Sequence, residues 1–113
     1  MIVHNNDIPS RKVDEYASRK ILGTGGSLMM VEVSFKKGGI GEVHSHEAHE
    51  QTSYIVKGRF EVSVDGVKSI LVAGDSFYAG LRVPHGVVAL EDSIILDVFT
   101  PLRQDFLEAE VQR

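Results

Sequence analysis

Three histidines fall within six residues, at His44, His46 and His49. Imidazole carries protons near neutral pH and ligates divalent transition metals, so the cluster reads as a metal site. On an extended strand alternate residues share a face, which puts His44 and His46 on one side. Their Cα atoms are then about 6 to 7 Å apart, a separation from which two rings can converge on one ion. Gln51 offers an amide oxygen five residues after His46, and a fourth histidine, His85, follows Pro84. The competing reading is a solvated, histidine-rich loop. His49, at an odd separation from His46, fits such an exposed position, and His4 has no chemical neighbours and reads as surface.

A second chemical signal is Asp97, the one acid within the apolar run at residues 94–99. An ionised carboxylate buried without a partner is costly, so Asp97 must face a cavity, a cation or water. Alternation gives it the same face as Ile95 and Phe99. The competing reading is a carboxylate paired with an arginine at a barrel end. Arg59, Arg82 and Arg103 are candidate anchors for a substrate carboxylate, because the guanidinium fork accepts it in bidentate fashion. Tyr54 and Tyr78 are candidates to hydrogen-bond a ligand hydroxyl, and Met29 and Met30 read as core or interface.

The elements that must position these residues are strands. Short runs rich in β-branched and aromatic residues recur at 27–35, 53–58, 60–64, 67–72, 75–80, 85–90 and 93–99, punctuated by eleven glycines. That spacing predicts an all-β sandwich or barrel. Val64-Asp65-Gly66-Val67 predicts a tight hairpin, since Asp-Gly takes the positive backbone angles of a type I′ turn. The segment 13–21 reads as a short helix or an edge strand, and 104–113 as a last helical turn, marginal alone.

With 113 residues the chain suits one domain, and 42% hydrophobic with 25% charged residues is ordinary globular composition. There is no cysteine, which removes disulfides, thiolate metal sites and cysteine nucleophiles. A net charge of −4 with no basic block argues against nucleic acid as a partner. No apolar run reaches the roughly 18 residues of a membrane span, and no apolar core follows the first charges. The expectation is a cytoplasmic protein with no membrane partner.

In these motifs the chain resembles the cupin superfamily. Gly38, His44, His46, Gln51 and Gly58 keep the register of the first cupin motif, glycine, His-x-His, an acid and glycine. A slip of one residue would make Glu50 the fourth ligand, but only Gln51 preserves the motif's spacing to Gly58. Gly74 and His85 keep that of the second motif, in which Gly80 and Arg82 replace the usual proline and glycine. The resemblance implies a double-stranded β-helix, the jelly-roll barrel, as a single cupin domain over 1–113 with its core at about 20–107. It implies one divalent metal (Ni, Zn, Mn or Fe) on His44, His46, Gln51 and His85. Glutamine in place of glutamate leaves the ion its full charge, which favours Lewis acidity and anion binding.

More narrowly, the segments 19–23, 28–33, 44–46, 49–51, 84–87 and 96–101 are similar to the KdgF family of pectin-degradation proteins. That resemblance implies a metal-dependent enzyme that opens 4,5-unsaturated monouronates, small anionic sugar acids, to linear 5-keto-4-deoxyuronate. It implies Asp97 as the catalytic residue and Phe99 as a pocket residue. Arg103, just beyond the similar string, is the preferred carboxylate anchor, with Tyr54 as a further substrate contact. A homodimer, with residues 1–3 pairing as an edge strand, is a further implication. The alternatives are a non-catalytic sensory cupin whose metal organises an anion site, and a dioxygenase-like cupin.

Overall fold

The computed structural model describes residues 1–111. After a single 3-10 turn at Asn5–Asp7 come ten strands and one helix. The strands are β1 (Arg11–Lys12), β2 (Ala17–Gly25), β3 (Leu28–Phe35), β4 (Ile40–His44), β5 (Glu50–Lys57), β6 (Arg59–Val64), β7 (Val67–Val72), β8 (Ser76–Ala79), β9 (His85–Ala89) and β10 (Ser93–Thr100). The helix α1 spans Gln104–Val111. Residues 13–16, half of the segment read as helix or edge strand, form the turn into β2. The C-terminal stretch makes two helical turns, and Gln112 and Arg113 lie outside the described residues.

Two antiparallel sheets face each other, one ordered β1-β2-β3-β10-β5-β8 and the other β4-β9-β6-β7, as in a jelly roll. The β6–β7 hairpin turns at Asp65 and Gly66, both with positive φ (51° and 79°), as the Asp-Gly signal predicts. Gly58, between β5 and β6, is required on two counts. Its φ is 84°, and a Cβ there would run into the side chain of Ser93 and lie 2.7 Å from the Asp92 carbonyl.

The interior divides into three layers. One apolar cluster contains Phe35, Ile55, Phe60, Val62, Ala89 and Ile95, with Phe35 and Phe60 edge to face at 5.6 Å. A second contains Met29, Val31 and Phe99, sealed by Leu102 and by Phe106 and Leu107 of α1. Along β10 the inward side chains run Ile95, Asp97, Phe99, so Asp97 falls between the clusters; its register partners are Ser53 on β5 and Val31 on β3. The polar layer of the site therefore sits at a fixed depth, with Asp97 on β10 beside Ser53 on β5.

The candidate metal centre

His44 closes β4 and pairs with His85, which opens β9. His46 is not on that strand: it lies in the connection to β5, so the two histidines converge from a strand end and a loop, not from one strand face. The rings nevertheless meet, with centroids 4.7 Å apart for His44 and His46, 4.5 Å for His44 and His85, and 5.4 Å for His46 and His85. One nitrogen from each lies within 4.8 Å of the others.

The hydrogen bonds of these rings fit a metal. His44 Nδ1 contacts the carbonyl of Glu42 at 2.7 Å and His85 Nδ1 that of Val83 at 2.9 Å, each two residues back along the chain. A carbonyl only accepts, so both Nδ1 atoms carry the proton and both Nε2 lone pairs are left for an ion. His46 Nε2 is buried with no hydrogen-bond partner. His85 Nε2 faces Gln51 Oε1 at 3.0 Å, two acceptors directed at one point, which a cation satisfies. Burial and then the positive charge of Arg103 hold the pKa of His46 down at about 4, and burial also lowers that of His85. Neutral imidazoles are what a metal needs.

Gln51 is 6% exposed and points inward, while Glu50 points outward and accepts from the Tyr78 hydroxyl at 3.2 Å. The amide therefore stands at the site and the carboxylate outside it. Asp97 lies behind these residues, and its hydrogen-bond partner among the described residues is a serine and not an arginine. Its Oδ1 accepts from Ser53 Oγ at 2.6 Å, and Gln51 Nε2 donates to the same hydroxyl at 3.0 Å. Desolvation pushes the Asp97 pKa up to about 6, against the opposing effects of the Ser53 hydrogen bond, His44 and Arg103.

Phe99 is 3% exposed and meets the His46 ring edge to face at 6.2 Å. Arg103 immediately precedes α1; its carbonyl accepts from the Phe106 and Leu107 amides, and its guanidinium lies 5.4 Å from the Phe99 centroid and 4.1 Å from that of Phe106. Asp105 accepts from Arg103 Nε and Nη2 at 2.9 and 2.7 Å. Tyr54 is not at the site. Inward positions on β5 are 51, 53 and 55, so Tyr54 stands on the outer face, 48% exposed, and, contrary to the expected substrate contact, does not reach the site. Tyr78 is likewise outside, and Arg59 is exposed on the other sheet. His49 lies in the loop before β5, as expected, partly exposed and with Nδ1 on the Pro101 carbonyl at 2.8 Å. Arg82 keeps the left-handed backbone (φ 61°) suited to the glycine it replaces, and its amide donates to the His46 carbonyl at 2.7 Å. Ser53, Asp105 and Phe106 were not among the expected site residues.

A cavity of about 100 Å³ adjoins the ligands, lined by His44, Gln51, His85, Asp97 and apolar side chains including Phe77 and Ile95. This is below the roughly 300 Å³ of small-molecule sites, so it has room for an ion and a small part of a ligand. A larger hollow of about 500 Å³, around Lys12, Lys36 and Lys57, contains none of these groups.

The cupin domain family matches residues 31–99. The chain is 42% identical over 104 residues to the pectin degradation protein KdgF of Dickeya dadantii (strain 3937), covering 91% of this chain and 94% of that protein. It superposes on KdgF from Halomonas sp. with a TM-score of 0.92 at 40% identity, over 94% of this chain and 97% of that one. An RmlC-like cupin from Shewanella frigidimarina NCIMB 400 gives 0.89 at 40% identity, over 93% and 94% of the two chains.

Proposed function

The chain belongs to the cupin family and, within it, to the KdgF family of pectin-degradation proteins, and on that premise we propose that it opens 4,5-unsaturated monouronates to linear 5-keto-4-deoxyuronate. The observation that carries this reading is Asp97: a carboxylate set beside a three-histidine, one-glutamine cluster, with a pKa raised to about 6. Binding an anion does not call for an acid there; moving a proton near neutral pH does.

Ring opening is an isomerisation, so no atom is gained or lost. Asp97 takes the proton of the anomeric hydroxyl as the C1 carbonyl forms and the bond from C1 to the ring oxygen breaks. The electron pair passes to the enolate, and the same carboxyl delivers its proton to C4, leaving a ketone at C5. Phe99, buried behind the His46 ring, offers the sugar ring only its small exposed edge, and Arg103, whose Nη1 is outside both bonds to Asp105, turns that nitrogen toward the uronate carboxylate. Held by His44, His46, His85 and Gln51, a divalent ion (Ni, Zn, Mn or Fe) would supply Lewis acidity at substrate oxygen, undiminished by any anionic ligand.

The same reading makes the protein a cytoplasmic homodimer. Met1 and Ile2, 93% and 87% exposed and not in a strand, together with the exposed Tyr54 and Val56 of the outer sheet face, support pairing of two chains. No helix among the described residues is long and apolar enough to cross a membrane. The test of the function is to give the metal-loaded protein 4,5-unsaturated galacturonate and identify the product by NMR. The linear ketone, formed faster than without protein, is expected. No acceleration, with oxygen uptake by the iron-loaded protein, would replace this reading with an oxygenase.

A further inference from the structure

Ser53 is 1% exposed and sits on β5 between the ligand Gln51 and the core residue Ile55, directly across from Asp97 in the strand register. A hydroxyl has one proton. Asp97 Oδ1, 2.6 Å away, takes that proton, so Ser53 Oγ can only accept from Gln51, and the group facing it at 3.0 Å must be the amide NH2. The carbonyl end of the same amide is thereby turned toward His85 Nε2, into the histidine cluster. An amide, unlike a carboxylate, has one end that ligates a cation and one that does not. A glutamine ligand therefore needs something to choose its orientation, and in this chain the only side chain bonded to its NH2 among the described residues is Ser53.

We propose that Ser53 is a positioning residue that fixes which end of the Gln51 amide faces the metal and holds the Asp97 carboxylate at the depth of the reacting carbon. The metal half of this stands on the geometry of the cluster; the Asp97 half rests on the ring-opening reading. Among the described residues no backbone group is bonded to the hydroxyl, so its removal leaves the barrel standing, which a melting curve checks.

The experiment is a metal titration by calorimetry, with Ni or Zn alone as probe, on the wild type, Ser53→Ala, Gln51→Glu and the double variant, followed by steady-state kinetics at saturating metal. Ser53→Ala is expected to weaken metal binding about tenfold in the Gln51 protein, the size of effect usual for a residue that orients a ligand. In the Gln51→Glu background, where both ends ligate, the same change should cost less than about twofold. Ser53→Ala should lower kcat with KM nearly unchanged, since Asp97 loses its anchor while Phe99 and Arg103 keep theirs. Equal losses of metal affinity in both backgrounds, or none in either, would overturn the proposal. If the wild type binds metal but does not turn over the uronate, the function falls, while the metal titrations still decide the role of Ser53.

Discussion

The carboxylate of Asp97, between Ile95 and Phe99 with a serine hydroxyl as its hydrogen-bonded partner, is held where ionisation is costly. Its pKa is raised from 3.8 to about 6, so the native state holds that proton more tightly than the unfolded chain does. The sign follows: the penalty is full above about pH 6, shrinks as pH falls through 6, and is gone below about 4. Asp97→Asn keeps the acceptor for Ser53 without the charge. In the metal-free protein it should therefore add about 3 kcal/mol at pH 7 to 8, an advantage that disappears toward pH 4, measured by urea unfolding. The same substitution should lower kcat by a factor of about 100 or more, the usual contribution of a proton-transferring group. A gain in stability with a loss of rate marks a residue kept for chemistry. For the wild type, kcat/KM should fall on the acid side at or below about pH 6, because a bound cation lowers the pKa further.

At the scale of elements, the inward face of β5 places three residues in one row: Gln51 at the ligands, Ser53 against Asp97, Ile55 in the core. Its two-residue period also shows what was legible beforehand. Counting alternately from Gln51 puts Ser53 inside and Tyr54 outside, but the run at 53–58 begins too late to show that the strand starts at Glu50. Without that start the phase of the face is open. On β10 the same period was readable because the acid interrupts an apolar run, and Asp97, Phe99 and Ile95 share the inner face as alternation predicts. The docking of α1 was not readable, since eight residues show little until Phe106 meets Phe99 at 5.9 Å and Arg103 at 4.1 Å. Phe106→Ala should cost about 2 kcal/mol in urea unfolding and raise KM more than it lowers kcat, because it removes the support of Arg103 and Phe99. Gly58→Ala, which forces a Cβ onto Ser93 at a φ of 84°, should cost about 3 kcal/mol by the same measurement.

Across the whole molecule, the cluster joins the two sheets. His44 and His85 belong to the four-stranded sheet and Gln51 to the six-stranded one, with His46 in the connection between them. An ion held by all four is a crosslink present only in the folded barrel, so it stabilises by mass action, about 3 kcal/mol at a hundred times its dissociation constant. Chelation should therefore lower the melting temperature and abolish activity together, and restoring Ni or Zn should recover both. Light scattering should give the mass of two chains. The most direct test of ring opening follows loss of the enol-ether absorbance of 4,5-unsaturated galacturonate with no protein, with metal-loaded protein, with chelated protein and with metal-loaded Asp97→Asn. Acceleration is expected from the metal-loaded wild type alone; a rate unchanged by chelation, or retained in Asp97→Asn, would contradict metal-dependent ring opening by Asp97.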